Sequence, residues 1–204
     1  MSDKVEERQI SRRTIAKGAA WAVPIVPLVV ATPAYASSGG GPVITVGDAC
    51  KLPGNSCGNV FVKGYIFDVT ISNPTDEDIY LFNEDPAGPG SFLITFTDTN
   101  PDINLFFQAA VIATGPQAGT VVTFPYLLEA GSSLVIVLNA GENGSSANES
   151  LTGTISVPWG HTLPAGSDPD NHPPAVDGFT FPDTPPVQNP GCGVTIPPNC
   201  GKKK

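Results

Sequence analysis

Arginine is absent from this 204-residue chain after residue 13, and basic residues of any kind are scarce in the rest of the chain. Beyond residue 36 only Lys51, Lys63 and the three terminal lysines are basic, against sixteen Asp and Glu, a net charge of −11. Two isolated lysines cannot build the basic patch that follows a phosphate backbone. The composition therefore argues against a nucleic-acid partner, and the excess of acidic groups favours solubility.

Histidine is almost as scarce, since only His161 and His172 occur. Asp168 and Asp170 lie between them, and these four side chains could form a metal site or an acid–base pair. They lie in a proline-rich stretch, where we expect no rigid element to hold them within the ~0.5 Å that such chemistry needs. The motifs G-x-S-x-G, H-E-x-x-H and the P-loop are missing too. We therefore predict no catalytic residue, no metal ligand, no cofactor and no enzymatic activity.

A second acidic motif, "DTNPDIN", places Asp98, Asn100 and Asp102 two residues apart, like the start of a calcium loop. An EF-hand loop needs Gly at its sixth position and Glu at its twelfth, where this chain has Ile103 and Ala109. The motif therefore predicts an acidic turn.

The arginines that the chain does have include the adjacent Arg12 and Arg13 of "SRRTIAKGAAW", which also contains Lys17. A charge-free stretch comes next and ends in the small-residue site Ala34-Tyr35-Ala36. A basic start, an apolar middle and an A-x-A site are typical of a secretory signal peptide. The arginine pair resembles the twin-arginine (Tat) export signal.

We therefore predict a twin-arginine signal peptide at residues 1–36, cleaved between Ala36 and Ser37. The apolar run of residues 18–31 is shorter than the ~20 residues of a spanning helix and contains two prolines. We thus expect no stable membrane anchor. The resemblance implies the Tat translocase and a signal peptidase as partners during export, and an extracellular or cell-wall location.

Four cysteines lie beyond the leader, which in an exported chain predicts disulfide bonds. They form two close pairs, Cys50 with Cys57 and Cys192 with Cys200. Three pairings are open, and we expect the two local ones because their short proline-containing loops close easily. Local loops also suit Tat cargo, which is understood to cross the membrane folded, before its bridges form. Zinc is disfavoured because the spacing exceeds that of C-x₂₋₄-C sites.

Beyond a linker at residues 37–41, short runs with period-two alternation predict β-strands. In "YIFDVTIS", Tyr65, Phe67, Val69 and Ile71 should face a core, while the intervening residues face solvent. Ile155, Val157 and Trp159 should share another face. Further runs occur at residues 79–83, 91–98, 104–113, 119–128, 132–140 and 151–159, of which 104–113 could also form a short helix, although we favour a strand. Strands at this spacing predict an all-β sandwich or barrel.

The C-terminal residues 161–204 are rich in proline, which cannot donate to a central ladder. We predict an extended tail with a local disulfide, laid over the sandwich by Phe179 and Phe181. A disordered stalk that spans the cell wall is the alternative.

The pieces "GYIFDVTISNPTDEDIYL", "LLEAGSSLVIVLNA" and "SANESLTGTISVPW" resemble immunoglobulin-like β-sandwiches on exported proteins of high-GC Gram-positive bacteria. The resemblance covers residues 42–160 and implies an immunoglobulin-like antiparallel sandwich, although the Cys…Trp…Cys core of antibody domains is missing.

These observations predict an exported, non-enzymatic structural or adhesive module, with a cell-wall polymer or surface protein as partner. A carbohydrate-binding module is the alternative and would need exposed aromatic residues. A secreted hydrolase with a distant carboxylate pair is the third hypothesis. The candidate sugar-binding aromatics are Tyr80, Phe82, Tyr126 and Trp159.

Overall fold

A computed structural model describes residues 40–86, 88, 90–100, 102–141, 148–198 and 200. These residues belong to one compact unit, which spans Ser37–Lys204. The predicted export signal and cleavage site lie outside the described residues, and they comprise Arg12, Arg13, Lys17, Ala34, Ala36 and Ser37.

Strands dominate the described part of the chain, and its one helical element is a 3₁₀ turn at Cys57–Asn59. The all-β prediction is therefore confirmed. No helix in this part of the chain is long and apolar enough to cross a bilayer. The strands are Val43–Lys51 (β1), Asn55–Ser56 (β2), Phe61–Val62 (β3), Tyr65–Ser72 (β4), Ile79–Leu81 (β5), Thr95–Asp98 (β6), Phe107–Ile112 (β7), Tyr126–Leu128 (β8), Ser133–Ala140 (β9), Leu151–Val157 (β10), Trp159–Gly160 (β11) and Ala175–Phe181 (β12).

The strands form antiparallel sheets arranged in two layers. One layer is the sheet β1-β4-β9-β7. The other consists of the sheets β12-β10-β6 and β11-β5-β8. Strands β10 and β11 are one run of chain that is interrupted at Pro158, because proline has no N–H to donate. The Pro158 carbonyl nevertheless accepts the N–H of Phe82 at 2.9 Å. The second layer is thus continuous along this run, and a hairpin of two-residue strands, β2 and β3, packs against the other layer.

An inner core lies between the layers and is built from the predicted alternation. Tyr65, Phe67, Val69 and Ile71 of β4 are all buried in it, which confirms the inward face assigned to this strand. Ile155, Val157 and Trp159 enter the same core from the second layer, as predicted. The ring of Phe67 packs across the layers against the rings of Phe96, Phe179 and Phe181, with centroid distances of 5.8, 5.4 and 6.1 Å.

The outer face of the β1-β4-β9-β7 sheet is also covered, which the alternation alone does not predict. A second hydrophobic cluster there contains Ile66 of β4 and Val137 of β9, both fully buried, together with Phe61 and Val194. The covering residues come from the β2–β3 hairpin and from residues 186–200, which we call the C-terminal strap. The expectation that β4 exposes its second face to solvent is therefore wrong at Ile66.

The described residues of the C-terminal segment, 161–198 and 200, do not form an extended tail. Between Pro174 and Pro182, residues 175–181 form strand β12, which pairs with β10 at the edge of its sheet. Seven consecutive residues without proline are enough for an edge strand, and proline beyond both ends is compatible with that position. Phe179 packs in the inner core and Phe181 against it, as predicted for the two rings.

The predicted disulfide pairing is wrong. Cys50 is bonded to Cys192 and Cys57 to Cys200, with Cα–Cα distances of 5.7 and 4.4 Å. The strap brings these partners together because it starts beside β1, where the Lys51 N–H donates to the Pro185 carbonyl and the Val187 N–H donates to the Lys51 carbonyl, each at 2.9 Å. Sequence proximity favours local closure, but the apolar surface that the strap covers decides the pairing.

Candidate functional site

The loop between β11 and β12 gathers most of the chemistry-bearing side chains that the sequence offers. Asp168, Asp170 and His172 each direct one ligand atom to a common point, and these atoms all lie within 4.8 Å of one another. His161 stands beside them, with its ring centroid 5.0 Å from that of His172. The expectation that these residues lie away from any rigid element is wrong, because the loop is held against the end of β11.

Asp168 organises the loop through its carboxylate. Oδ2 accepts the backbone N–H of His161 at 2.7 Å, and Oδ1 accepts that of Asp170 at 3.1 Å. The bond from the His161 N–H is the main reason that the pKa of Asp168 lies below its usual value, and the second N–H and both imidazoles act in the same direction. Asp168 is therefore a carboxylate at neutral pH, and its two hydrogen bonds fix the backbone at His161 and at Asp170.

His172 is held by Trp159, a large side chain of the inner core that lies on β11. The two rings lie 4.2 Å apart at an angle of 31°, and the Trp159 indole N–H donates to the Pro173 carbonyl at 2.9 Å. Stacking and hydrogen bonding thus fix the indole and the imidazole together. The His172 Nε2 atom is buried and lies 3.3 Å from Asp168 Oδ2, yet it makes no hydrogen bond to any described group.

His161 is turned away from the cluster. Its Nδ1 lies 3.2 Å from the Asp78 carbonyl oxygen and 3.6 Å from Glu77 Oε2. The ring stands edge-on to Trp159. His161 therefore connects the loop to the turn before β5 and does not complete the donor set.

A small cavity of about 180 Å³ opens beside the cluster. Its walls include Phe82 and Phe92, whose rings meet edge to face at 5.9 Å, and the ring of Trp159. Asp168, Asp170 and His172 provide its polar lining. The arrangement can hold a small cation or a polar group against an aromatic wall.

The other acidic motif stays separate from this site. Asp98 accepts the N–H of Asn100 at 2.6 Å, and Asn100 accepts the N–H of Asp102 at 3.1 Å, so the segment forms two successive Asx turns. Burial raises the pKa of Asp98. Among the described residues, neither Asp98 nor Asp102 belongs to a cluster of three His, Cys, Asp or Glu donors.

The aromatic residues proposed for sugar binding do not form an exposed platform. Phe82 and Trp159 are only 1% and 6% exposed. Tyr126 is partly buried against the inner core, and Tyr80 is also partly buried. Two of the four predicted sugar-binding aromatics are therefore buried and the other two are partly buried.

Two titratable groups that sequence reasoning missed lie on β1 and β4. Burial, with a smaller contribution from Asp48, raises the pKa of Asp68 to about 6. Burial also lowers the pKa of Lys51 to about 8, and its Nζ lies 4.6 Å from the centre of the Tyr65 ring. The outward position of Asp68 in the β4 alternation gave no signal for its burial, since the nearby bulge of β1 at Gly47 and Asp48 lies outside β4.

A second, mainly apolar cavity of about 340 Å³ opens between the starts of β6 and β7. It is lined by residues 93–96 and 105–107, with Asn83 at one side. Asn83 accepts the N–H of Ile94 at 2.9 Å and thereby fixes this wall. No acidic or basic side chain lines the cavity.

No protein-family model, no curated protein and no solved structure matches this chain.

Proposed function

We propose that this chain is an exported, non-enzymatic structural or adhesive module that acts at a bacterial surface or in the medium. The observation that carries the proposal is the pair of disulfides that fasten the strap over the outer face of the β1-β4-β9-β7 sheet. Disulfides form and persist in oxidising compartments, which is where a twin-arginine leader would deliver the chain. A domain closed in this way resists unfolding and proteolysis, as a surface module must.

The immunoglobulin-like assignment belongs to the same proposal. Two antiparallel layers around one shared core support it. The cysteines depart from the antibody pattern, because they lie in the outer cluster beneath the strap instead of joining the two layers. The bridges therefore secure a covering segment and leave the packing between the layers to hydrophobic contacts.

The location of the cysteines also bears on the proposed route of export. A twin-arginine substrate folds in the reducing cytosol, so its core must form before its bridges. The inner core contains no cysteine, while all four cysteines lie in or against the second cluster. Folding of the layers followed by oxidation of the strap is consistent with this order.

Intact-mass analysis of the protein from the culture medium and from the cell-wall fraction tests export. We expect the mass of residues 37–204, lowered by four hydrogen atoms for two disulfides. Peptide mapping should recover Cys50 linked to Cys192 and Cys57 linked to Cys200. A full-length chain with free thiols in the membrane fraction would contradict the proposal.

The division between the two fractions then separates an adhesive module from a released one. Retention in the wall fraction, reversed by added wall polymer, supports adhesion to that polymer. Turnover of wall polysaccharides by the purified protein would show a hydrolase and refute the non-enzymatic assignment.

A further inference from the structure

We propose that Asp168, Asp170 and His172 bind a divalent transition-metal ion, of which Zn²⁺ is the best match. The proposal rests on the geometry of the β11–β12 loop and does not depend on export or on adhesion.

The spacing of the donor atoms fits a metal of this size. Two ligands of a tetrahedral zinc ion with bonds of about 2.0–2.1 Å lie about 3.4 Å apart. Asp168 Oδ2 and His172 Nε2 are separated by 3.3 Å. The third donor comes from Asp170, and each of the three residues offers one ligand atom that lies within 4.8 Å of the other two. Because Asp170 is exposed, a small rotation of its side chain closes the remaining distance.

The state of His172 points to a ligand. A buried ring nitrogen without a hydrogen bond leaves its polar capacity unused, and structures rarely leave such groups unpaired. His172 Nε2 is such an atom among the described residues, and it lies 3.3 Å from the carboxylate of Asp168, in a group that also contains Asp170. A metal ion would take the lone pair of this nitrogen and balance both negative charges.

The site is held in place before an ion arrives. Trp159 stacks on the imidazole of His172, and two backbone N–H groups bind Asp168. Partners of this kind orient metal ligands and strengthen binding. The adjoining cavity leaves room for a water molecule as the fourth ligand.

The donor set decides the class of ion. Imidazole suits Zn²⁺, Cu²⁺, Ni²⁺ and iron, whereas Ca²⁺ and Mg²⁺ take oxygen donors. One imidazole nitrogen and two carboxylates therefore favour zinc over calcium.

Zinc titration of the full chain tests the proposal. In a Trp21→Phe background Trp159 is the only tryptophan, and it contacts His172, so its fluorescence reports occupancy of the site. Calorimetry with ZnCl₂ gives the stoichiometry and affinity in the same samples. We expect one ion per chain, with a saturable change in Trp159 emission.

Two variants identify the ligands. His172→Phe keeps an aromatic ring against Trp159 and removes the nitrogen, and Asp170→Asn removes one exposed carboxylate that accepts no hydrogen bond within the described residues. Each should weaken zinc binding about tenfold or more. Asp183→Asn, which removes an exposed charge outside the cluster, is the matched control and should bind like the unaltered chain.

Three results would overturn the proposal. The first is absence of saturable zinc binding, and the second is equal affinity in Asp170→Asn and Asp183→Asn. The third is binding of Ca²⁺ at the cluster while Zn²⁺ is refused, because the imidazole would then play no part. Should His172→Phe fail to fold, the Asp170→Asn comparison still decides the question.

Discussion

Removal of the two disulfides, separately and together, should show that they are thermodynamically coupled. The variants are Cys50→Ala/Cys192→Ala, Cys57→Ala/Cys200→Ala and the fourfold combination. In sequence the bridges span 142 and 143 residues, and they lie close to each other at both ends. Each bridge should therefore alter the loop that the other one closes.

The expected magnitudes come from loop-closure entropy in the unfolded chain. One bridge in an otherwise open chain closes a loop of 142 residues, which stabilises the fold by about 5 kcal/mol. When that bridge is already in place, the second bridge closes a much shorter loop, which passes through the first bridge. This loop consists of seven residues from Cys50 to Cys57 and eight from Cys192 to Cys200. A loop of about 15 residues is worth about 3 kcal/mol.

Loss of either bridge alone should thus lower the free energy of unfolding by about 3 kcal/mol, and loss of both by about 8 kcal/mol. Urea denaturation followed by circular dichroism measures these differences through the midpoint and the slope. The unaltered protein unfolded in the presence of a reductant should match the fourfold variant. We expect that variant to keep the inner core, since all four cysteines lie outside it.

Single losses that add up to the combined loss would refute the coupling, because the two bridges would then close independent loops. A combined loss below about 3 kcal/mol would refute the entropic account itself. An unfolded fourfold variant would oppose twin-arginine export, because such a chain could not fold in the cytosol before its bridges form.

Three further predictions concern the layers and their edges. Asp68→Asn should stabilise the fold by about 1 kcal/mol above pH 6, allowing for the partial exposure of the carboxyl group. The raised pKa of about 6 means that the folded state favours protonated Asp68. The wild-type protein therefore loses stability relative to Asp68→Asn as the pH rises from 4 to 6. Near pH 4 the two proteins should have the same free energy of unfolding. If Asp68→Asn and the wild-type protein had equal urea midpoints at pH 7.5 as well as at pH 4, the prediction would be wrong. Phe67→Ala should lower the free energy of unfolding, measured by urea denaturation, by about 3–5 kcal/mol, because the ring is buried against three other rings. Val176 is 47% exposed, so Val176→Ala should change the free energy of unfolding by less than about 0.5 kcal/mol. Gly153→Ala should lower the free energy of unfolding by more than about 2 kcal/mol, because its Cβ would collide with the Thr97 carbonyl oxygen. Gly178→Ala, whose Cβ would meet nothing closer than 3.7 Å, should stay folded with nearly the same urea midpoint.

Much of the layered architecture could be predicted from the sequence, because period-two alternation records which face of a strand is buried. The inward set of β4 and the shared face of Ile155, Val157 and Trp159 are confirmed for that reason. Strand β1 escaped prediction, since a bulge between Val46 and Ala49 interrupts its alternation at Gly47 and Asp48. Strand β12 escaped because the flanking prolines dominated the interpretation of its seven residues.

The site and the disulfides depend on contacts that no local pattern contains. Cys50 and Cys192 meet only because the strap covers a sheet face whose strands β1 and β4 lie more than a hundred residues away in the chain. His172 becomes a rigid group only because it stacks on Trp159, from which twelve residues of loop separate it. Spacing in the sequence identified the four polar residues of this loop, but not what holds them.

The placement of the bridges also determines how the molecule would carry a mechanical load. Tension applied on the N-terminal side of Cys50 and on the C-terminal side of Cys200 would pass through either disulfide, from the N-terminal segment to the strap. The part of β1 before Cys50 and the short segments between Cys50 and Cys57 and between Cys192 and Cys200 would lie in the path of the force. Such a pull could separate β1 from β4, but strands β4 to β12 lie between Cys57 and Cys192 and would bear none of the tension until a covalent bond broke.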